Sequence, residues 1–324
     1  MNEMKKSVVV MFFLGLCLLP SLVRAIEKPV WQGIGRIALS SDGNEHDDDD
    51  WPASAFSLAM LYASNTMSHL SLYTYSDHVW GSNHVHPATA TKASAYDQMK
   101  TSVLGARTYF GMKNVKLICA VDDPEKAYNA MRDEINRSTA DDPLTIIAAG
   151  PMQVVGEAMC RADKDRLAYV TIISHSKWNN EHADRSVATV HNQEDKYMWD
   201  NHKGWTWNEM QLAFEHPQIG GQVVAGVHFI SIENQNRGAD KIGLYPLRSF
   251  FNWVKTTAAR QNKVYKDGTF DWLWSRLNSC IKNNGQRYDI SDAGMIVYFL
   301  TGNQKVNPTD VQQILEHPVS PHTY

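Results

Sequence analysis

The chain has 324 residues, 43% apolar and 20% charged, with 31 Lys and Arg against 35 Asp and Glu for a formal charge of −4. This is globular composition, and it excludes a disordered, collagen-like or coiled-coil chain. The slightly acidic balance also argues against an electrostatic nucleic-acid binder, which needs a basic face.

The first 25 residues depart from that average. Lys5 and Lys6 precede an apolar run, 7–19, that Pro20 breaks, and Val23-Arg24-Ala25 closes the segment with a small residue. This is the layout of a secretory signal peptide, and the run falls short of the ~20 apolar residues that span a bilayer. The sequence therefore predicts an exported protein, periplasmic or secreted, in which 1–25 are removed and 26–324 fold. Cys17 leaves with the leader, while Cys119, Cys160 and Cys280 remain. At most one disulfide can form, and Cys119, inside an apolar run, is expected to be buried in a strand.

In chain order, 36–41 reads as a short strand ending in the turn signal Asp42-Gly43-Asn44, and 52–64 as a helix with Pro52 in its first turn. A strand is predicted at 70–76, a helix at 92–111, a strand at 115–121, a helix at 124–137, a strand at 144–149, a helix at 152–160 and a strand at 167–174. This alternation predicts an α/β fold, a mostly parallel sheet with helices on both faces. The continuously apolar runs LTIIAA and AYVTIIS suit strands buried on both sides. Beyond Ser174 the pattern changes. His175, His182, His191 and His202 alternate with Trp178, Trp199, Trp205 and Trp207, and Asn179, Asn180 and Glu181 lie among them. The stretch 174–290 is expected to be a variable, substrate-facing region of one domain, with an aromatic-rich C-terminal part. A helix is predicted near 246–257 and a last one at 292–300.

The strongest chemical signal is the run from Asp42 to Asp50, which holds five aspartates and one glutamate in nine residues. It lies between a buried strand and a helix. Such charges repel unless something compensates, and carboxylates gathered at the end of a parallel strand suit a hard cation such as Ca²⁺. A solvated acidic loop is the plain alternative. The spacing is not that of an EF-hand. Aromatic faces with Asn and Glu nearby suit sugars, so Trp178, Asn179, Asn180 and Glu181 are candidate substrate contacts.

The strand ending in Asp42, the Asp run before a helix, the segment Ala148-Ala149-Gly150-Pro151 and Ser291-Asp292-Ala293-Gly294 together resemble the nucleoside hydrolase family. The likeness is greater to the divergent secreted branch of that superfamily, in Asp42, Asn44, Glu45, Asp47, Asp48 and the helix end Leu61-Tyr62-Ala63. The resemblance implies Asp42 and Asp47 as calcium ligands, with Asp48 a further ligand or a ribose contact. It also implies the Ala149 carbonyl and Asp292 as distal ligands. Spacing after Asp42 selects Asp47, whereas counting back from the helix selects Asp49 or Asp50. Asn44, Asp77 and His78 are further candidate substrate contacts, although the Asn expected after the second strand is absent.

The activity implied is hydrolysis of a glycosidic bond, N-ribosyl or O-glycosidic, with Asp42 taking the proton of water. His175 is the first candidate for the acid, and His78 the second. Ser291 stands where the family often carries a leaving-group His, so a non-catalytic carbohydrate-binding protein on the same scaffold is the alternative. Expected partners are a small sugar, nucleoside or oligosaccharide, and other copies of the chain; no nucleic-acid polymer and no membrane are expected.

Overall fold

Six apolar runs pair side by side in parallel, in the order β3-β2-β1-β4-β5-β8. They are β1 (Arg36–Ser41), β2 (Leu70–Tyr75), β3 (Lys116–Cys119), β4 (Leu144–Ala149), β5 (Val170–His175) and β8 (His228–Ile232), while β6 (Gln218–Ile219) and β7 (Gln222–Val223) form a separate antiparallel pair. The structure is a computed structural model that describes residues 28–43, 47–79, 92–181 (side chains from 97), 204–236, 243–282 and 284–319. The leader, Asn44 and most of the Trp/His-rich stretch, 182–203, lie outside the described residues.

Side chains alternate across each strand, so the sheet feeds two cores. Ile37, Leu39, Tyr73, Ile147 and Ile173 face one core. It is built with α1 (Asp50–Ala63), α2 (Lys92–Phe110), α8 (Thr269–Leu277), α9 (Gly294–Thr301) and α10 (Pro308–Glu316). Ala38, Leu72, Ile146 and Ile172 face the other, with α3 (Pro124–Asn136), α4 (Gln153–Arg161) and α6 (Trp207–Phe214). The fold is therefore α/β, with helices on both faces of a parallel sheet. Every residue of α1 is buried, because it is clamped between the sheet and α2, α8, α9 and α10. Its all-round apolar sequence is what a wholly enclosed helix needs. No helix among the described residues is long and apolar enough to cross a membrane.

Several expectations are corrected. Residues 167–169 belong to a 3₁₀ turn, so β5 starts at Val170. The helix expected near 246–257 is broken into a 3₁₀ turn, Arg248–Phe251, and the short α7 (Trp253–Thr256). Cys119 is only half-buried, because it ends an edge strand, and all three described cysteines are free. Trp205 and Trp207 pack into the protein. Trp207 is buried in the second core, and Trp205 lies on Gly156 and Phe214 with its indole N–H 3.2 Å from Glu157. Trp272 stacks on Tyr109, and Trp274 meets Tyr288 edge-on, so these aromatics are packing anchors.

Candidate functional site

Strand order reverses between β1 and β4: β2 and β3 run outward from one, β5 and β8 from the other. Diverging carboxyl ends at such a switch point leave the crevice where ligands bind in open α/β sheets. Asp42 sits there, wholly buried. Its N–H extends the ladder to the Ala149 carbonyl at 3.0 Å, and its own carbonyl accepts from Ser76 N–H at 2.8 Å. Ser76 takes a left-handed φ of 54° to make that turn, a strain of the kind held at functional sites.

Gly150 makes the approach of these segments possible. A Cβ there would stand 2.7 Å from Asp77 Oδ1 and 2.9 Å from the Asp42 nitrogen. Gly150→Ala is therefore expected to push Asp42 and Asp77 off their positions. Its cost should appear as a loss of about 1–3 kcal/mol in urea unfolding, the size typical of an overpacked site. An unchanged stability would show that the crevice yields without harm.

Asp50 opens α1, and both of its carboxylate oxygens are buried without a hydrogen-bond partner. Ligand atoms of Asp42, Asp47 and Asp50 lie within 4.8 Å of one another. Calcium takes 6–8 oxygens at about 2.3–2.6 Å, so opposed ligands stand roughly 5 Å apart and the three carboxylates fit around one ion. A cavity of about 20 Å³, lined by Asp50, Ala149, Asp292 and the hydroxyl side chains Ser41, Ser54 and Tyr73, adjoins them. All these donors are oxygen, the chemistry of a hard cation.

Without a cation the cluster is electrostatically costly. Burial, then the charges of Asp292, Asp42, Asp49 and Asp77, push the Asp50 carboxyl well above the ordinary carboxylate range. Asp77 is pushed up by burial and by Asp42. Asp47 is raised by burial and by its contact with Asp49. The proton affinity of each group is thereby raised, and a cation among them would lower it.

The acidic run divides in two. Asp48 is paired with Lys282, whose ammonium also lies 3.8 Å from Asp49. Lys282 belongs to β9 (Ile281–Lys282), which pairs with β10 (Arg287–Tyr288). Although burial opposes it, the hydrogen bond from Asp47 and the Lys282 charge hold Asp49 below its ordinary range. Ser291 Oγ donates a further bond to Asp49 at 3.2 Å. Asp48, expected as a ligand or a ribose contact, is thus ion-paired with Lys282, and it is the carboxylate of Asp50 that lies beside those of Asp42 and Asp47.

Asp292 precedes α9 and borders the cavity beside Asp50. His175 Nε2 lies 2.5 Å from its Oδ1, and Asn179 Nδ2 donates to the same oxygen at 3.2 Å. Asp77 and His78 are wholly buried. Asp77 accepts from Ser40 Oγ at 2.7 Å and belongs to the acidic cluster, with no face open to a substrate. Trp178 is half-buried, Asn180 donates to Ser231 Oγ at 3.3 Å, and Glu181 pairs with Lys177 at 3.6 Å. Of that quartet, Asn179 reaches the Asp292 carboxylate. Lys282 and Gln235 went unforeseen, and no local pattern in the sequence marks either.

Fold and crevice together define an α/β protein with an all-oxygen site at the switch point of a parallel sheet. No family model matches the chain. An uncharacterized protein of Formosa agariphila is 28% identical over 291 residues, covering 87% of this chain and 91% of its own. The solved inosine-uridine preferring nucleoside hydrolase of Bacillus anthracis aligns with a TM-score of 0.43 and 11% identity, over 88% of this chain and 100% of that one.

Proposed function

We propose that this chain is an exported hydrolase of a glycosidic bond, N-ribosyl or O-glycosidic, in a nucleoside, small sugar or oligosaccharide, and that its crevice takes Ca²⁺. The observation that carries the reading is the convergence of Asp42, Asp47 and Asp50 at the switch point, with the Asp50 oxygens buried and unbonded. Asp42, Asp47, Asp50, the Ala149 carbonyl and Asp292 would hold the ion. The order of the Asp42 loop, Ala149 and Asp292 along the chain is also the order in which nucleoside hydrolases present theirs.

When bound, calcium supplies an anchor for sugar hydroxyls and water. The Asp42 carboxylate then accepts a proton from water as that water attacks the anomeric carbon. Departure of the leaving group develops positive charge on the sugar, which the carboxylates of Asp50 and Asp292 favour electrostatically in a site with little water.

The test is calcium titration of the metal-free protein by calorimetry, with sugar release from nucleosides and p-nitrophenyl glycosides measured with and without EDTA. The wild type is expected to bind calcium and to lose activity to the chelator. Asp42→Ala and Asp292→Ala are expected to bind at least a hundredfold more weakly, since each removes a direct ligand. Unchanged binding in both variants would sink the assignment.

One observation favours a second reading. The Ser291 hydroxyl, next to Asp292, is bonded to Asp49, and both His175 nitrogens are engaged within the protein. A carbohydrate-binding protein without catalysis needs no acid at these positions. Glycan binding with no sugar released from any bound glycan would favour it.

A further inference from the structure

We infer that His175 is a positioning residue that aims Asp292 into the crevice and does not deliver a proton to a leaving group. This rests on the calcium site proposed above.

His175 ends β5 and is wholly buried. The main-chain N–H of Gln235 donates to its Nδ1 at 3.3 Å, so Nδ1 is an acceptor and carries no proton. The ring proton is then on Nε2, where it is donated to Asp292 Oδ1 at 2.5 Å. With one nitrogen accepting from the backbone and the other donating to a carboxylate, the ring has no nitrogen left for a substrate. An imidazole held this way orients the carboxylate it serves.

The surroundings are built around that ring. Gln235 is itself wholly buried, and its side-chain amide donates to the carbonyls of Glu233 at 2.5 Å and Gln304 at 3.1 Å. A Cβ on Gly294 would stand 2.7 Å from Gln235 Cγ. The glycine two residues past Asp292 thus admits the segment after β8, and with it the N–H that sets the His175 tautomer. On the other side, Ser176 takes a left-handed φ of 72° directly after His175. The chain turns there into α5 (Lys177–Glu181), which returns Asn179 to Asp292. Two donors from two segments converge on Oδ1, and Oδ2 takes none from the described residues. Free rotation of the carboxylate is thereby removed, and Oδ2 is the oxygen that remains for a cation.

The test measures calcium affinity by calorimetry for the wild type, His175→Ala and His175→Gln. Circular dichroism and a melting curve without calcium show that each is folded. His175→Ala is expected to bind calcium about 10- to 100-fold more weakly, the usual cost of losing a supporting partner. His175→Gln keeps a donor at nearly the same reach and is expected to recover most of that loss. A histidine acting as an acid would leave calcium affinity unchanged in His175→Ala, and that result overturns the inference while leaving the calcium site standing. Equal weakness of the Ala and Gln variants also overturns it. A wild type that takes no calcium overturns the site proposal and this inference with it.

Discussion

Asp50→Asn is expected to make the calcium-free protein more stable at pH 8 and to abolish its stabilisation by calcium. The carboxylate opens a fully buried helix with neither oxygen bonded, beside Asp42, Asp49, Asp77 and Asp292. Burial and these charges raise its proton affinity, so the folded state holds a proton at pH values where the unfolded chain has released it. A raised acid contributes stability that is complete below the unfolded value and lost as pH rises through the folded one. Asp47 and Asp77 shift in the same direction. The calcium-free wild type should therefore melt lower as pH rises above the ordinary carboxylate range and through the raised values of these groups, and the asparagine should flatten that fall. The gain at pH 8 is expected to be about 1–3 kcal/mol, the range of single buried-charge changes. With the calcium site proposed above, calcium at a hundred times its dissociation constant would stabilise the wild type by about 2.7 kcal/mol by mass action, and the variant should show none of it. Melting curves at several pH values, with calcium and with EDTA, check each sign. A variant that is less stable at pH 8 without calcium would contradict the electrostatic account.

Glu134→Ala is expected to cost about 3–5 kcal/mol, the loss typical when a buried pair is broken from one side. Oε2 of Glu134 accepts from Arg36, from Arg137 at 2.5 Å and from Ser71 Oγ at 2.8 Å. Arg36 begins β1 and also reaches Asp142 through Nε at 2.7 Å. Removing Glu134 leaves a largely enclosed guanidinium with one carboxylate, and that carboxylate is half-exposed. The network fastens α3 to the amino ends of β1 and β2, at the edge of the sheet opposite the crevice. Urea unfolding should show the loss, while calcium affinity of the protein that remains folded should stay within a few-fold of wild type. A cost below about 1 kcal/mol would mean that solvent replaces the carboxylate well, as it does for surface pairs.

The β1–β5 half of the fold was legible because each element is short, strongly apolar and ended by a turn signal. The acidic run was legible for the opposite reason, that too many like charges stand together. What stayed open there was which aspartates turn inward. Asp48 and Asp50 are two residues apart around a helix start, and only a lysine 234 positions from Asp48 decides between them. In the aromatic stretch the described Trp205 and Trp207 serve packing, since Trp fits a core as well as a sugar face. Trp207 follows Thr206, whose capping box with Glu209 marks a helix start. The same signature at Asn307, Pro308 and Asp310 announces α10. Both signals are legible in the sequence. His175 ends a strand, but its partner Asp292 lies 117 residues away, so no local pattern joins the two.

The contacts that complete the crevice join distant stretches of the chain. Asp42 to Asp50 precede Lys282, Ser291 and Asp292 by more than 230 positions. Until those later residues dock, the crowded aspartates must be protonated or splayed apart. Closure of the pocket therefore waits on the segment from Lys282 to Asp292, whatever the order in which the strands pair.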